Sequence, residues 1–333
     1  MGMKKRVLIS DIAKALGISV TTVSFILNDK AKEKRISEAL TKRVLDYVKK
    51  VGYKPNQLAK SLRTGQTKIL GLLVEDIANP FFSNVAKYIE RQAYEAGYHI
   101  IYCSMDNDEL KAKELIQLFM DRQVDGFIIT PSEGLESTIQ NIKQNNTPLV
   151  LFDRFMPNVE TNYVVSDNKR GAYDATKHLL EAKNKRVGLI SLYSNQTQMR
   201  DRLDGYMEAM DEFRTQSFVK KLDLDSPDEE SKAQILEFVV DNNLDAVLFA
   251  TNYLAVDGLK ALKENKIPLP KMVAFDEHTL FKLHDPSISV VSQDIERLTK
   301  ELISTLISEI EGKLKEVRQL TIPCSLIVRE SSI

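Results

Sequence analysis

The sequence predicts two architectures in one chain: a small all-α head built on a helix-turn-helix, and an α/β body of two lobes, each a doubly wound parallel sheet. Three observations predict it. Residues 1–66 carry 15 Lys and Arg against five Asp and Glu, a balance of +10, while the rest of the chain stands at −11, so the overall −1 hides a basic head and an acidic body. Within the head, short amphipathic stretches flank a glycine. From Lys68 onward, β-rich apolar runs alternate with amphipathic segments, and the rhythm runs twice.

Length and composition bound the function. At about 100–200 residues per domain, 333 residues with 43% hydrophobic content suit two or three domains with cores of their own. Two cysteines, Cys103 and Cys324, exclude a disulfide scaffold and read as reduced, packed thiols. No run of about 18 apolar residues and no signal-peptide pattern occurs, so a cytoplasmic protein without membrane attachment is expected. Catalytic and cofactor motifs are absent: there is no GxGxxG after the first strand, no GxxxxGK[ST] and no HExxH. The histidines His99, His178, His278 and His284 are scattered, which disfavours a metal site. Neither an enzyme nor a cofactor is expected. A basic module of this size is the footprint of a polyanion reader, since each cation set against a phosphate releases condensed counterions.

Ser10 reads as an N-cap for a helix with Ile12, Ala15 and Leu16 on one side and Gly17 as its left-handed stop. Ser19 caps a second helix, Val20 to Asn28, with Val23, Ile26 and Leu27 inward and Thr21, Thr22, Ser24, Phe25 and Asn28 outward or at the edge. Ser37 caps a third, Glu38 to Val51, which Gly52 ends. Three such helices make a small bundle whose second helix is free to enter a major groove. Residues 56–63, NQLAKSLR, offer only a short apolar face of Leu58 and Leu62, and a helix of that length is marginal without a partner.

The head resembles the LacI/GalR family of bacterial transcription regulators in ISDIAKALGISVTTVSFILN, VGYKPN and LAKSLRTGQTKILGLL, matched in order and spacing. The resemblance implies that Val20 and Thr21 face base edges, that Phe25 is the next residue on the same face, and that Ser24, Asn28 and Tyr53 lie near phosphates, with Thr22 also in the DNA-binding set. It implies a hinge helix that pairs with its copy in a homodimer, sits in the minor groove with Asn56 and Ala59, and wedges Leu62 between base steps of a near-palindromic operator. Two departures stand out. Phe25 occupies a place where many relatives carry a polar or basic residue, and a phenyl ring cannot donate to guanine. The loop Asp29 to Arg35 is about three residues longer than in familiar members.

In the body, strands are expected at 69–74, 99–104, 126–130 and 149–153, with helices from about Phe82, Glu109 and through Asn145 between them. After 164–167 the pattern restarts: helix 169–182, strand 186–191, helix 202–213, a weak strand at 219–222, helix 229–242, strand 246–250, a helix to Asn265 and strand 272–275. The closing segment, GKLKEVRQLTIPCSLIVRESS, reads as a strand pair. The resemblance implies a periplasmic-binding-protein-like body crossing between lobes near Ser166, Val291 and Pro323. The domains expected are then a DNA-binding head at 1–55, a hinge and linker at 56–66, and an effector-binding body at 67–333, with lobes of 67–166 plus 293–322 and 167–291 plus 323–333.

Ligands of such sheets sit beyond the carboxyl ends of strands. There the chain carries Phe81, Phe82, Asp153, Arg154, Asp167, Arg202, Asn252, Asp276 and Gln293, and similarity to the family implies effector contact for them, with Asp153 close by. The mixture of planar charged groups and rings suits a sugar. A sugar phosphate, a purine or a phosphorylated partner protein are alternatives within the regulator class. A sugar-transport receptor is the rival from another class, opposed by the basic head. The expected function is a dimeric regulator, most simply a repressor, whose operator affinity follows a small effector.

Overall fold

The computed structural model describes residues 7–53, 65–223 and 226–333, and the chain divides into two compact units, 1–67 and 68–333. The head unit contains α1 (Ile9–Leu16), α2 (Val20–Leu27) and α3 (Glu38–Val51) around a core of Ile12, Ala13, Val23, Ile26 and Val44. The Ser19 hydroxyl accepts the Thr22 N–H at 3.0 Å and the Ser37 hydroxyl that of Leu40 at 3.3 Å, satisfying amides that a helix start leaves open. Gly17 and Gly52 stop α1 and α3 in the left-handed region. One cap differs from expectation. Helix α1 starts before Ser10, because the Asp11 carboxylate accepts the Leu8 N–H at 2.9 Å and lets the turn form from Ile9.

The second unit holds two six-stranded sheets. The first contains β1 (Ile69–Val74), β2 (His99–Ser104), β3 (Gly126–Ile129), β4 (Leu149–Phe152), β5 (Asn162–Ser166) and β11 (Gln319–Ile322), in the order β11-β5-β4-β3-β1-β2 and parallel throughout. The second contains β6 (Val187–Leu192), β7 (Phe218–Leu222), β8 (Ala246–Phe249), β9 (Lys271–Phe275), β10 (Ser289–Gln293) and β12 (Cys324–Ile327), in the order β12-β10-β9-β8-β6-β7. There β12 alone runs antiparallel, against β10. Both halves thus share one winding, whose order reverses beside the first strand of each. Their central strands are apolar runs buried on both faces, as crossover helices on either side require.

The helices are α4 (Pro80–Glu95), α5 (Glu109–Asp121), α6 (Glu136–Gln144), α7 (Asn168–Glu181), α8 (Thr197–Glu212), α9 (Asp228–Asp241), α10 (Asn252–Glu264), α11 (Thr279–Leu283) and α12 (Ile295–Ile310). Helix α8 begins five residues before the expected 202. Its first turn is polar and lacks apolar periodicity, yet Thr197, Gln198 and Met199 are buried. Strand β10 runs through Gln293, so the chain leaves the second sheet after that residue rather than near Val291. The closing strands do not pair with each other: β11 joins β5 in one sheet and β12 joins β10 in the other. Helices α7 and α8 meet so closely at Gly205 that a Cβ there would lie 2.0 Å from the Lys169 carbonyl oxygen.

Candidate nucleic-acid interface and effector cleft

On α2, Val20 and Thr21 are exposed while Val23 and Ile26 fill the core. The Thr22 hydroxyl lies 2.8 Å from that of Ser19, and so belongs to the helix start. Asn28 turns back on its own helix, its amide donating to the Ser24 carbonyl at 2.6 Å. Phe25 is half-buried, with the Lys34 ammonium 5.5 Å from its ring centroid. Tyr53 is half-buried and packs on the head core. Asn56, Ala59 and Leu62 lie outside the described residues.

In the body, both sheets present their carboxyl ends to a common cleft. Asp153 follows β4 and Asp276 follows β9, the corresponding strands of the two halves, and both adopt a left-handed backbone, φ 65 and 70. Such a φ is uncommon for a side-chain-bearing residue and marks a spot where the surroundings dictate the backbone. Arg154, next in line, is 1% exposed. Its Nη2 donates to Glu75 Oε2 and Asn107 Oδ1, each at 2.9 Å, its Nη1 donates to the Gln196 side-chain oxygen just before α8, and its buried Nε has no partner among the described residues. Thr197 Oγ1 accepts the Phe155 N–H at 3.2 Å. The strands and helices of the two halves are therefore tied across the cleft by Arg154 and its neighbour.

Arg202 of α8 is 2% exposed and bonded within its own half. It donates to Asn168 Oδ1 at 2.9 Å and to the Ala250 carbonyl at 2.5 Å, lies 3.9 Å from Asp276 Oδ2, and stands 3.7 Å over the Phe275 ring. Gln293 donates to Asp276 Oδ1 at 2.6 Å and accepts from the Ser166 hydroxyl, at the crossover. Asp167 caps α7 through the Arg170 N–H at 3.0 Å.

Burial dominates the electrostatics. It pushes the Asp153 carboxyl up to about 6, against the opposing pull of Arg154 and then Arg202. Burial raises Asp276 as well, with Arg202 and the Gln293 bond pulling the other way. Cys324, beside the same crossover, is raised to about 12 by burial, which makes it an inert packed thiol.

A cavity of about 450 Å³ opens on one flank of this cluster, lined by Glu75, Asp76 and Asn79 from the first half and by Asn252, Tyr253 and Asp257 from the second, among others. Asn252 is 2% exposed, and its side-chain N–H donors find no partner among the described residues. A buried donor left open costs free energy until something accepts from it. A second cavity of about 330 Å³, lined by Arg154, Ser132, Gln196 and Arg200, opens on the other flank. The cluster between them therefore unites Asp153, Arg154, Arg202, Asp276 and Gln293. Phe81 and Phe82 pack instead into the first sheet's core, 5.1 Å apart, with Phe82 against Phe152 at 6.2 Å. Glu75, Asn107, Asn168 and Gln196 complete the cluster and were not foreseen. Glu75 stands directly after β1, the same strand-end signal that singled out Asp153.

Among the described residues no group of His, Cys, Asp and Glu could hold a metal, and no single helix is long and apolar enough to cross a membrane. Residues 70–314 match the family described as periplasmic binding protein domain, and residues 8–56 match bacterial regulatory proteins, lacI family. The ribose operon repressor of Halalkalibacterium halodurans is 32% identical, over 97% of this chain and 96% of its own length. A periplasmic binding protein/LacI transcriptional regulator from Alkaliphilus metalliredigens, complexed with D-xylulofuranose, is 25% identical with a TM-score of 0.72, covering 80% of this chain and 99% of its own. The lac repressor dimer bound to operator and the anti-inducer ONPF shares the fold at a TM-score of 0.85 and 19% identity, over 99% of this chain and 100% of its own. A helix-turn-helix head matched by one of these families and a two-sheet body matched by the other admit one conclusion: the chain belongs to the lacI family of bacterial regulatory proteins, as a DNA-binding transcription regulator and not an enzyme.

Proposed function

We propose that the protein is a homodimeric, cytoplasmic repressor of a near-palindromic operator, and that a small sugar held between the lobes of its body controls its grip on DNA. One observation carries the effector reading: two buried arginines, the buried Asp153 and the half-buried Asp276 gather from the two halves near a cavity in which the Asn252 amide has no acceptor among the described residues. Vicinal hydroxyls supply both the acceptor Asn252 needs and the donors that carboxylates take. The sugar-bound relative from Alkaliphilus metalliredigens and the similarity to a ribose operon repressor support the same choice. The effector contacts proposed are Asp153, Arg154, Arg202, Asn252, Asp276 and Gln293, with Asp167 at the crossover and with Phe81 and Phe82 supporting from the core the start of α4, where Asn79 and Pro80 line the cavity.

The proposed division of labour is a head at 1–55, a hinge at 56–66 and a body at 67–333, the body's lobes following the two sheets. Val20, Thr21 and Phe25 read bases, and Thr22, Ser24, Asn28 and Tyr53 support backbone contact. In the hinge, Asn56 and Ala59 flank Leu62 as the wedge. Dimerisation is favoured by the unpaired edge of β2, where Ile101 and Tyr102 are exposed together with Tyr94, Leu110 and Leu118.

A thermal-shift screen of the full chain tests the effector class, because a ligand that binds only the folded form raises Tm. Neutral pentoses and hexoses are expected to raise it. A rise with a sugar phosphate or purine alone would overturn the sugar, and no rise with any of the three classes would overturn the cleft as a receptor.

A further inference from the structure

We infer that the long loop of the head is a DNA-contacting element, and that Lys34, held against the Phe25 ring, delivers from it a cation to a backbone phosphate beside the recognition helix. The inference rests on α2 being that helix. The loop is built rather than slack. Its Lys30 N–H donates to the Phe25 carbonyl at 2.9 Å, hooking it onto the last turn of α2. Lys34 N–H then bonds the Lys30 carbonyl at 2.9 Å and Ile36 N–H the Ala31 carbonyl at 2.8 Å, so residues 30–36 form a tight turn. A left-handed residue precedes it, Asp29 at φ 56, another lies near its end, Arg35 at φ 52, and Ala31 and Ile36 pack on the head core.

That turn places the Lys34 ammonium 5.5 Å from the Phe25 centroid, within the range of a cation–π contact. Phe25 lies four residues after Thr21, hence on the same face of α2. The ring itself offers DNA only apolar contact, and the ammonium beside it supplies the charge the ring lacks. The two features that set this head apart in sequence, a phenylalanine on the reading face and an extended loop, are thus joined in one contact. Lys34 also pairs with Glu33 at 2.8 Å, but both side chains are largely exposed, and a pair of that kind contributes little and yields readily to a phosphate. A lysine is a mobile point charge, suited to a phosphate more than to the paired acceptors of a base.

The test measures binding by fluorescence anisotropy of the full chain to a duplex selected from a random pool and to an unselected duplex, between about 50 and 200 mM salt. Lys34→Gln is expected to weaken both duplexes by a similar factor, about 3–10-fold, and to lower the salt slope by about 0.9, the value of one phosphate contact. Phe25→Leu, which keeps an apolar side chain but removes the ring's negative face, is expected to lose part of the same slope with Lys34 still present. An unchanged slope in Lys34→Gln, with the head's melting transition intact, overturns the inference. So does a loss confined to the selected duplex, which would assign Lys34 to a base. Thr21→Ala separates the failures: retained preference for the selected duplex in that variant would discard α2 as the reading helix, whatever Lys34 does.

Discussion

The two halves of the body repeat one winding and even one backbone device, yet they put opposite charges on it. After β4 and after β9 stands an aspartate in the left-handed region, but the next residue is Arg154 in the first half and Glu277 in the second. Arg154 turns into the cleft and bonds to Gln196 of the other half. Glu277 turns to its own half, where Arg329 Nη2 donates to it at 2.5 Å. Arg202 likewise satisfies itself among Asn168, Ala250, Phe275 and Asp276, all of the second half. The second half thus holds its arginine with its own groups, while the first sends Arg154 across; Gln293 of the second half in turn accepts from Ser166 of the first, and the buried amide of Asn252 stays open among the described residues.

The largest expected effect lies in the second half. Gly205→Ala would force α7 and α8 apart, because the new methyl meets backbone, 2.0 Å from the Lys169 oxygen and 2.9 Å from the Tyr173 nitrogen. Gly71→Ala in the first sheet meets only the edge of the Phe119 ring at 2.5 Å, which can shift. Overpacking costs about 1–3 kcal/mol and sometimes more. Urea unfolding should put Gly205→Ala at or beyond the top of that range and Gly71→Ala near the bottom; equal costs would remove the asymmetry.

Next come the arginines. Arg202→Ala leaves Asp276 facing an emptied, buried site and is expected to cost about 3–5 kcal/mol in the same measurement. Arg154→Ala breaks a closer pair, at 2.9 Å, and leaves a Glu75 of similar exposure, 18% against 13% for Asp276, so a similar cost is expected. It should in addition speed amide exchange around Asn107 and Thr197, where the halves are tied. Faster exchange there in Arg202→Ala alone would reverse the assignment.

The last effect is a pH dependence. The Asp153 carboxyl stands near 6 in the fold, against about 3.9 in an unfolded chain, so between those values the native state binds more protons. Its contribution therefore disfavours the native state increasingly as pH rises from about 4 to 6, and is constant above. Asp153→Asn should lose this component: its stability relative to the parent should improve across that window. A difference that stays flat from pH 4 to 7 would mean that Asp153 titrates normally.

The strands were legible because buried parallel strands are continuous apolar runs, and ILGLLV, LVLF and AVLF can hardly be anything else. Asp153, Arg154 and Asp276 were legible for a related reason, being the first polar residues after such runs. What the pattern could not reveal is who bonds to whom. Asn107, Gln196 and Asn168 join the cluster because distant turns converge, and nothing in their own neighbourhoods distinguishes them. The first turn of α8 escaped notice because its buried face is polar, facing a cleft instead of a core. Phe82 follows a strand end, the position that implies effector contact, and its ring's neighbours Phe81 and Phe152 place it in the first sheet's core.

The chain's last passage between the sheets is a single residue. Strand β11 ends at Ile322 in one sheet and β12 begins at Cys324 in the other, with Pro323 alone between them. A proline has its φ fixed near −65° and donates no hydrogen bond, so this thread can neither stretch nor be knitted into either sheet. The halves are consequently stitched at a fixed distance and free only to tilt, like covers on a spine. A change in their separation at this crossing would have to break β11 from β5 or β12 from β10.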